Sequence, residues 1–183
     1  MALDLPPRAR AALARWRDAL IAARSDLRAV PEGHLHVTVA FLGWQDEGGV
    51  EAIAGAVRDT ARGLAPAALV PGAVRGVPPR RPRLFALELG DQDGRAASAH
   101  AAVSSALEEL GVYRPERRPF WPHITLIRAR GRERRVSPLP AGPPPPGQPF
   151  TAAALTLYRS TPRPEGALYE PLTRSRVGKA GVA

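Results

Sequence analysis

The chain has 183 residues and 44% hydrophobic content, enough to bury a core within one domain or one domain of two lobes. It has no cysteine, which excludes disulfides, thiolate nucleophiles and zinc-thiolate sites. The formal charge of +9 points to a polyanionic partner. Of the 26 basic residues only Lys179 is lysine, so the forked guanidinium is the available phosphate ligand, although an Arg-, Ala-, Pro- and Gly-rich chain also reflects genome composition. The N-terminal MALDLPPRARAAL has no apolar signal core and no run reaches membrane-spanning length, so a cytoplasmic protein is expected.

In chain order, residues 2–5 (ALDL) read as the end of a short strand, and Pro6-Pro7 suit the first turn of a helix. Leu13, Trp16, Leu20, Ala23 and Leu27 recur at helical spacing, predicting a helix over 8–26 with Arg10, Arg17 and Arg24 outside. Pro31-Glu32-Gly33 turns into a strand over 34–42 that ends at Gly43. Val50, Ile53, Val57, Ala61 and Leu64 mark a second helix over about 48–63, followed by a strand-like stretch 67–77 and a basic loop with Arg80, Arg81 and Arg83. Residues 84–89 alternate as a strand, and Ala96 to Leu110 give a third helix closed by Gly111. His100 lies on its stripe and reads as structural. A strand over about 121–128 precedes a basic run to Arg135 and the Pro-rich PAGPPPPGQP, too poor in donors for regular structure. Strands at 152–159 and about 167–172 complete a domain over 1–174, and 175–183 are expected to be a disordered tail. This order favours an α+β fold, with mostly antiparallel sheets and helices outside.

Two stretches stand apart: His36-Val37-Thr38-Val39 and His123-Ile124-Thr125-Leu126. Four His and seven Thr in this length give about 0.15 His-x-Thr pairs by chance, so two together arise in roughly one such sequence in a hundred. Both sit in β-branched, apolar flanks, and on a strand residues i and i+2 share a face, so imidazole and hydroxyl are neighbours. The bland alternative is two half-buried strand histidines satisfied by hydrogen bonds. Two imidazoles, one neutral and one protonated, form a general base and a general acid. Phosphodiester hydrolysis needs both, with hydroxyl and guanidinium donors on the non-bridging oxygens. Thr38 and Thr125 are placed for that, and Arg128, five residues after His123, is the nearest cation to the second motif.

HVTVAFLG and RPFWPHITLIR resemble the two signature motifs of the 2H phosphoesterase superfamily, and specifically the bacterial RNA 2′,3′-cyclic phosphodiesterases, also described as 2′-5′ RNA ligases. ALDLPP, VPEGHLHVTVAFLG, RRPR and LYRSTPRPEGALYEPL extend the resemblance over nearly the whole chain. It implies a bilobal, pseudo-twofold α+β fold with two sheets and one motif from each lobe facing a central cleft. It further implies His36 and His123 as the catalytic pair, Thr38, Thr125 and Arg128 as phosphate ligands, and Phe41 as the aromatic that stacks beside the base. The expected partner is RNA or a nucleotide with a 2′,3′-cyclic phosphate, acted on by a monomer with no metal or other cofactor.

This chain departs from the family at its start, where the usual longer first strand is reduced to MALDLP, and at His34, where relatives often carry Asn. His34 with His36 and His123 opens a rival reading, a three-His zinc site. A second rival is a noncatalytic RNA-binding module using basic loops and Phe41, Phe120, Trp121 and Tyr158.

Overall fold

A computed structural model of the chain describes residues 1–130, 136–163 and 166–178. Its elements run β1 (Ala2–Asp4), α1 (Pro7–Ile21), β2 (Leu27–Ala29), β3 (His36–Thr38), α2 (Val50–Gly63), β4 (Ala67–Val77), β5 (Leu84–Gly90), α3 (Arg95–Glu109), β6 (His123–Ala129), β7 (Phe150–Ala152), β8 (Ala154–Thr161) and β9 (Leu168–Arg176). The fold is mixed α and β, and every pairing among the described strands is antiparallel.

Two sheets were expected from the resemblance, but the strands join in one sheet of nine, ordered β7-β4-β5-β6-β3-β1-β8-β9 with β2 beside β6. The reason is local: the two motif strands β3 and β6 pair with each other at Val37 and Ile124, which fuses the halves. Only Ala153 separates β7 from β8, yet β7 lies at one end of the path and β8 next to the other. The sheet therefore curls back on itself. Its inner face and the helices bury Leu3, Leu13, Leu27, Ile53, Leu87, Leu107, Ile124 and Leu126 in one core.

Three sequence expectations need correction. Helix α1 stops at Ile21, because Leu27 to Ala29 leave it to pair with β6 as β2. Its buried face is then Leu13, Ala14, Arg17 and Ile21, so Arg17 is 3% exposed, its guanidinium donating to Val30 O and Asp18 instead of facing solvent. Strand β9 extends through Arg176, and Val177 is buried with its N–H donating to Ala153 O, so 175–178 are ordered structure. The remainder of the expected tail, 179–183, lies outside the described residues, as do 131–135 of the basic run.

Helices α2 and α3 fall where their stripes place them, α3 closing at Gly111 with φ +70°, a left-handed turn that glycine adopts without a Cβ clash. The Pro-rich segment has no regular structure and is fastened to α1 by Trp16 Nε1 donating to Pro143 O at 2.9 Å.

Candidate active site

Val37 and Ile124 are fully buried, with their side chains on the core face. In an antiparallel pair centred there, the neighbours on the opposite face are His36 beside Thr125 and Thr38 beside His123. The register thus relates the two motifs by a local twofold and puts all four polar side chains on one face. Strand period accomplishes this without any loop having to fold correctly.

Arg128 reaches that face by a different route. Simple alternation from His123 would place residue 128 with Ile124, on the core side. Strand β5 is regular and sets Glu88, Ala86 and Leu84, all on one face, opposite His123, Thr125 and Arg128. The register between β5 and β6 shifts between Phe85 and Ala86, leaving Leu126 as an extra residue in β6. This bulge reverses the parity, so Ile127 stays buried and Arg128 joins the histidine face. Across β2, Arg28 lies opposite Arg128.

His123 donates from Nδ1 to Trp121 O at 2.8 Å. A carbonyl only accepts, so the neutral ring carries its proton on Nδ1 and leaves Nε2 as the free base nitrogen. Its ring stacks on the Trp121 indole, centroids 4.3 Å apart and planes 19° apart.

His36 has different surroundings. Tyr158 stacks on it at 5.6 Å and Tyr169 meets it edge-on at 5.1 Å. Burial among these rings pushes its imidazole from 6.5 down to about 4, helped by the Met1 ammonium and opposed by Asp4, which lies directly opposite on β1. The Asp4 carboxylate is itself buried and accepts from Thr156 Oγ1 at 2.9 Å, Tyr158 Oη at 2.8 Å and Arg174 Nε at 2.7 Å. Burial and the bond to Asp4 push the Tyr158 phenol up to about 12, so it remains a donor at any physiological pH.

His34, His36, Thr38, His123, Thr125 and Arg128 all line one small pocket of roughly 70 Å³, as do Arg28 and Tyr169. Reasoning from the sequence missed Arg28, Tyr169 and Asp4. Arg28 fell between the expected helix 8–26 and the turn at Pro31, where no strand was expected, whereas Asp4 and Tyr169 come together with β3 only through sheet pairing. Phe41, expected beside the base, is 74% exposed and is not part of the pocket lining, so it packs neither there nor in the core. His34 ends a short 3-10 turn, not a strand; its ring meets Tyr169 edge-on, and burial lowers its pKa. Among the described residues no group of three or more His, Cys, Asp or Glu is placed to hold a metal, so His34, His36 and His123 do not form the three-ligand set of the zinc reading. His100 is structural, with Nδ1 donating to Val39 O at 2.6 Å and its ring stacked on Phe120.

A family profile described as the 2′-5′ RNA ligase superfamily matches residues 5–162. An RNA 2′,3′-cyclic phosphodiesterase of Methanothermobacter thermautotrophicus is 31% identical over 137 residues, covering 74% of this chain and 72% of the relative. The crystal structure of TT0787 of Thermus thermophilus superposes with a TM-score of 0.81 at 26% identity, over 98% of this chain and 97% of that one. E. coli LigT complexed with 3′-AMP superposes with a TM-score of 0.74 at 25% identity, over 96% of this chain and 95% of LigT.

Proposed function

The chain belongs to the 2′-5′ RNA ligase superfamily, within the 2H phosphoesterases, and on that footing we propose that it hydrolyses RNA 2′,3′-cyclic phosphate ends to 2′-phosphates. The observation that carries this reading is the β3–β6 register, which gathers two His-x-Thr pairs on one face of one pocket. His123 Nε2, left free by the Nδ1 bond to Trp121 O, takes a proton from water as the water oxygen attacks phosphorus. The bond from phosphorus to the 3′ oxygen breaks, and His36 gives its proton to that oxygen. Thr38, Thr125 and Arg128 donate to the non-bridging oxygens as their charge rises. The cycle leaves His123 protonated and His36 neutral, and exchange with solvent resets both. The direction, His123 as base and His36 as acid, follows the family resemblance. With a 5′-hydroxyl in place of water the same step forms a 2′-5′ linkage, a side reaction in RNA joining.

Burial holds His36 neutral in the free protein, so its acid role depends on the substrate. The phosphate anion stabilises the imidazolium, and Asp4 assists from β1. No step runs through a metal. The protein works as a cytoplasmic monomer in which two pseudo-twofold lobes flank the motif strands, the local twofold at Val37 and Ile124 being the support for that symmetry.

The RNA-binding module is the weaker reading, because three of its four aromatics are engaged internally: Phe120 with His100, Trp121 with His123 and Tyr158 with Asp4. The deciding experiment incubates the protein with RNA ending in a 2′,3′-cyclic phosphate, with and without chelator, and identifies which hydroxyl keeps the phosphate. A 2′-phosphate formed equally fast with chelator is expected. Binding without turnover, or turnover that chelator abolishes, overturns the reading.

A further inference from the structure

The two histidines are equivalent in the motifs but not in their supports. His36 is boxed by tyrosines, whereas His123 rests on a single indole that is itself held from behind. Trp121 Nε1 donates to Glu88 Oε1 at 3.2 Å, and Glu88 Oε2 accepts from Arg75 Nε at 3.3 Å and Nη2 at 3.2 Å. Glu88 stands directly opposite His123 across β5 and β6, and Leu89 N donates to Pro122 O at 3.0 Å, tying the segment between Trp121 and His123 to β5. Trp121 therefore touches His123 twice, through its carbonyl and through its ring face, while β5 fixes the indole. It does not line the pocket.

We propose that Trp121, held by Glu88, is a positioning residue that fixes the His123 ring and stabilises the charge it acquires during turnover. This rests on the proposed role of His123 as base. An indole face attracts an imidazolium more than a neutral imidazole, so the stack tightens as His123 takes the water proton, an interaction stronger in the transition state than before it. The hydrogen bond from the indole N–H to a carboxylate enriches the ring face and keeps it parallel to the imidazole. Glu88 adds a negative charge across the strand pair.

The test compares Trp121→Leu, Trp121→Phe and Glu88→Gln on an RNA 2′,3′-cyclic phosphate, with His123→Ala as reference. Leucine removes the aromatic face and is expected to lower kcat about tenfold with KM within twofold. Phenylalanine keeps a face and should recover most of that loss, and Glu88→Gln, which keeps an acceptor for the indole, should lose no more than about threefold. Proton NMR supplies a readout independent of activity: the indole ring current holds the His123 ring protons upfield, and Trp121→Leu should release them. Equal rates for the leucine and phenylalanine variants, a loss confined to KM, or unshifted His123 protons in the unsubstituted protein each overturn the inference. An inactive unsubstituted protein with upfield His123 protons instead overturns the proposed function and leaves the stacking intact.

Discussion

His36→Gln removes an imidazole that burial holds at about 4 instead of 6.5, and the consequence for folding can be worked out in sign and size. The unfolded chain takes up a proton at this side chain as pH falls through 6.5, whereas the folded chain resists until about 4. The stabilisation is thus fully present above 6.5 and is lost as pH falls toward 4. Each tenfold change in proton affinity is worth about 1.4 kcal/mol, so the loss at pH 4 amounts to about 3 kcal/mol as an upper bound. Urea unfolding of the native chain and of His36→Gln at pH 7 and at pH 4 isolates it, because the carboxylates that titrate in this window are common to both. The native chain is expected to lose about 3 kcal/mol more than the variant between the two pH values. Parallel losses, or an NMR titration of His36 with a midpoint near its ordinary value, would refute the burial argument and with it the need for substrate to recharge the acid.

The same displacement separates two rate profiles: kcat/KM, which reports the free enzyme, should decline with rising pH well before kcat, which reports the complex in which the phosphate anion favours protonated His36. Coincident alkaline limbs in steady-state assays would show that the substrate does not move the acid. Thr125→Ala and Arg128→Ala should each lower turnover about 10²–10³-fold, since each removes a pre-organised donor. Unchanged turnover for both would mean the phosphate sits elsewhere. Asp4→Ala should cost about 2–3 kcal/mol in urea unfolding, because it strands the buried Thr156 hydroxyl and the partly buried Tyr158 hydroxyl that donate to the carboxylate. A cost below about 0.5 kcal/mol would show that water replaces the carboxylate.

The positions of His36, Thr38, His123 and Thr125 were legible in the sequence because strand period alone puts each His and Thr together. The helices α2 and α3 were legible for the matching reason at period 3.6. What escaped was set by pairing between distant strands. Leu27 fits a helical stripe extending from Leu13, but β2 gains its hydrogen bonds from β6, a hundred residues away, and the helix ends early. Arg17 reads as a surface cation, yet the same shortened helix turns it inward to the Val30 carbonyl. Asp4 has no motif to mark it and becomes part of the His36 surroundings only because β1 lies between β3 and β8.

Arg128 shows how far pattern and structure can agree on a residue for different reasons. The resemblance names it by its distance from the second histidine, five positions, and an odd offset on a regular strand points to the wrong face. The bulge at Leu126 corrects this by one residue, and the correction is visible in burial: Leu126 and Ile127 are consecutive and both fully buried, which no regular strand with one solvent face permits. The apolar pair Leu126-Ile127 before a charged residue was therefore the sequence trace of the bulge. It follows that the phosphate cradle is built from two independent devices. The register at Val37 and Ile124 aligns the histidines and threonines, and the bulge alone delivers the guanidinium. Deleting Leu126 would leave the first device intact and shorten the offset from His123 to Arg128 to four, so a regular strand would then hold both on one face; the bulge is needed because the native offset is odd.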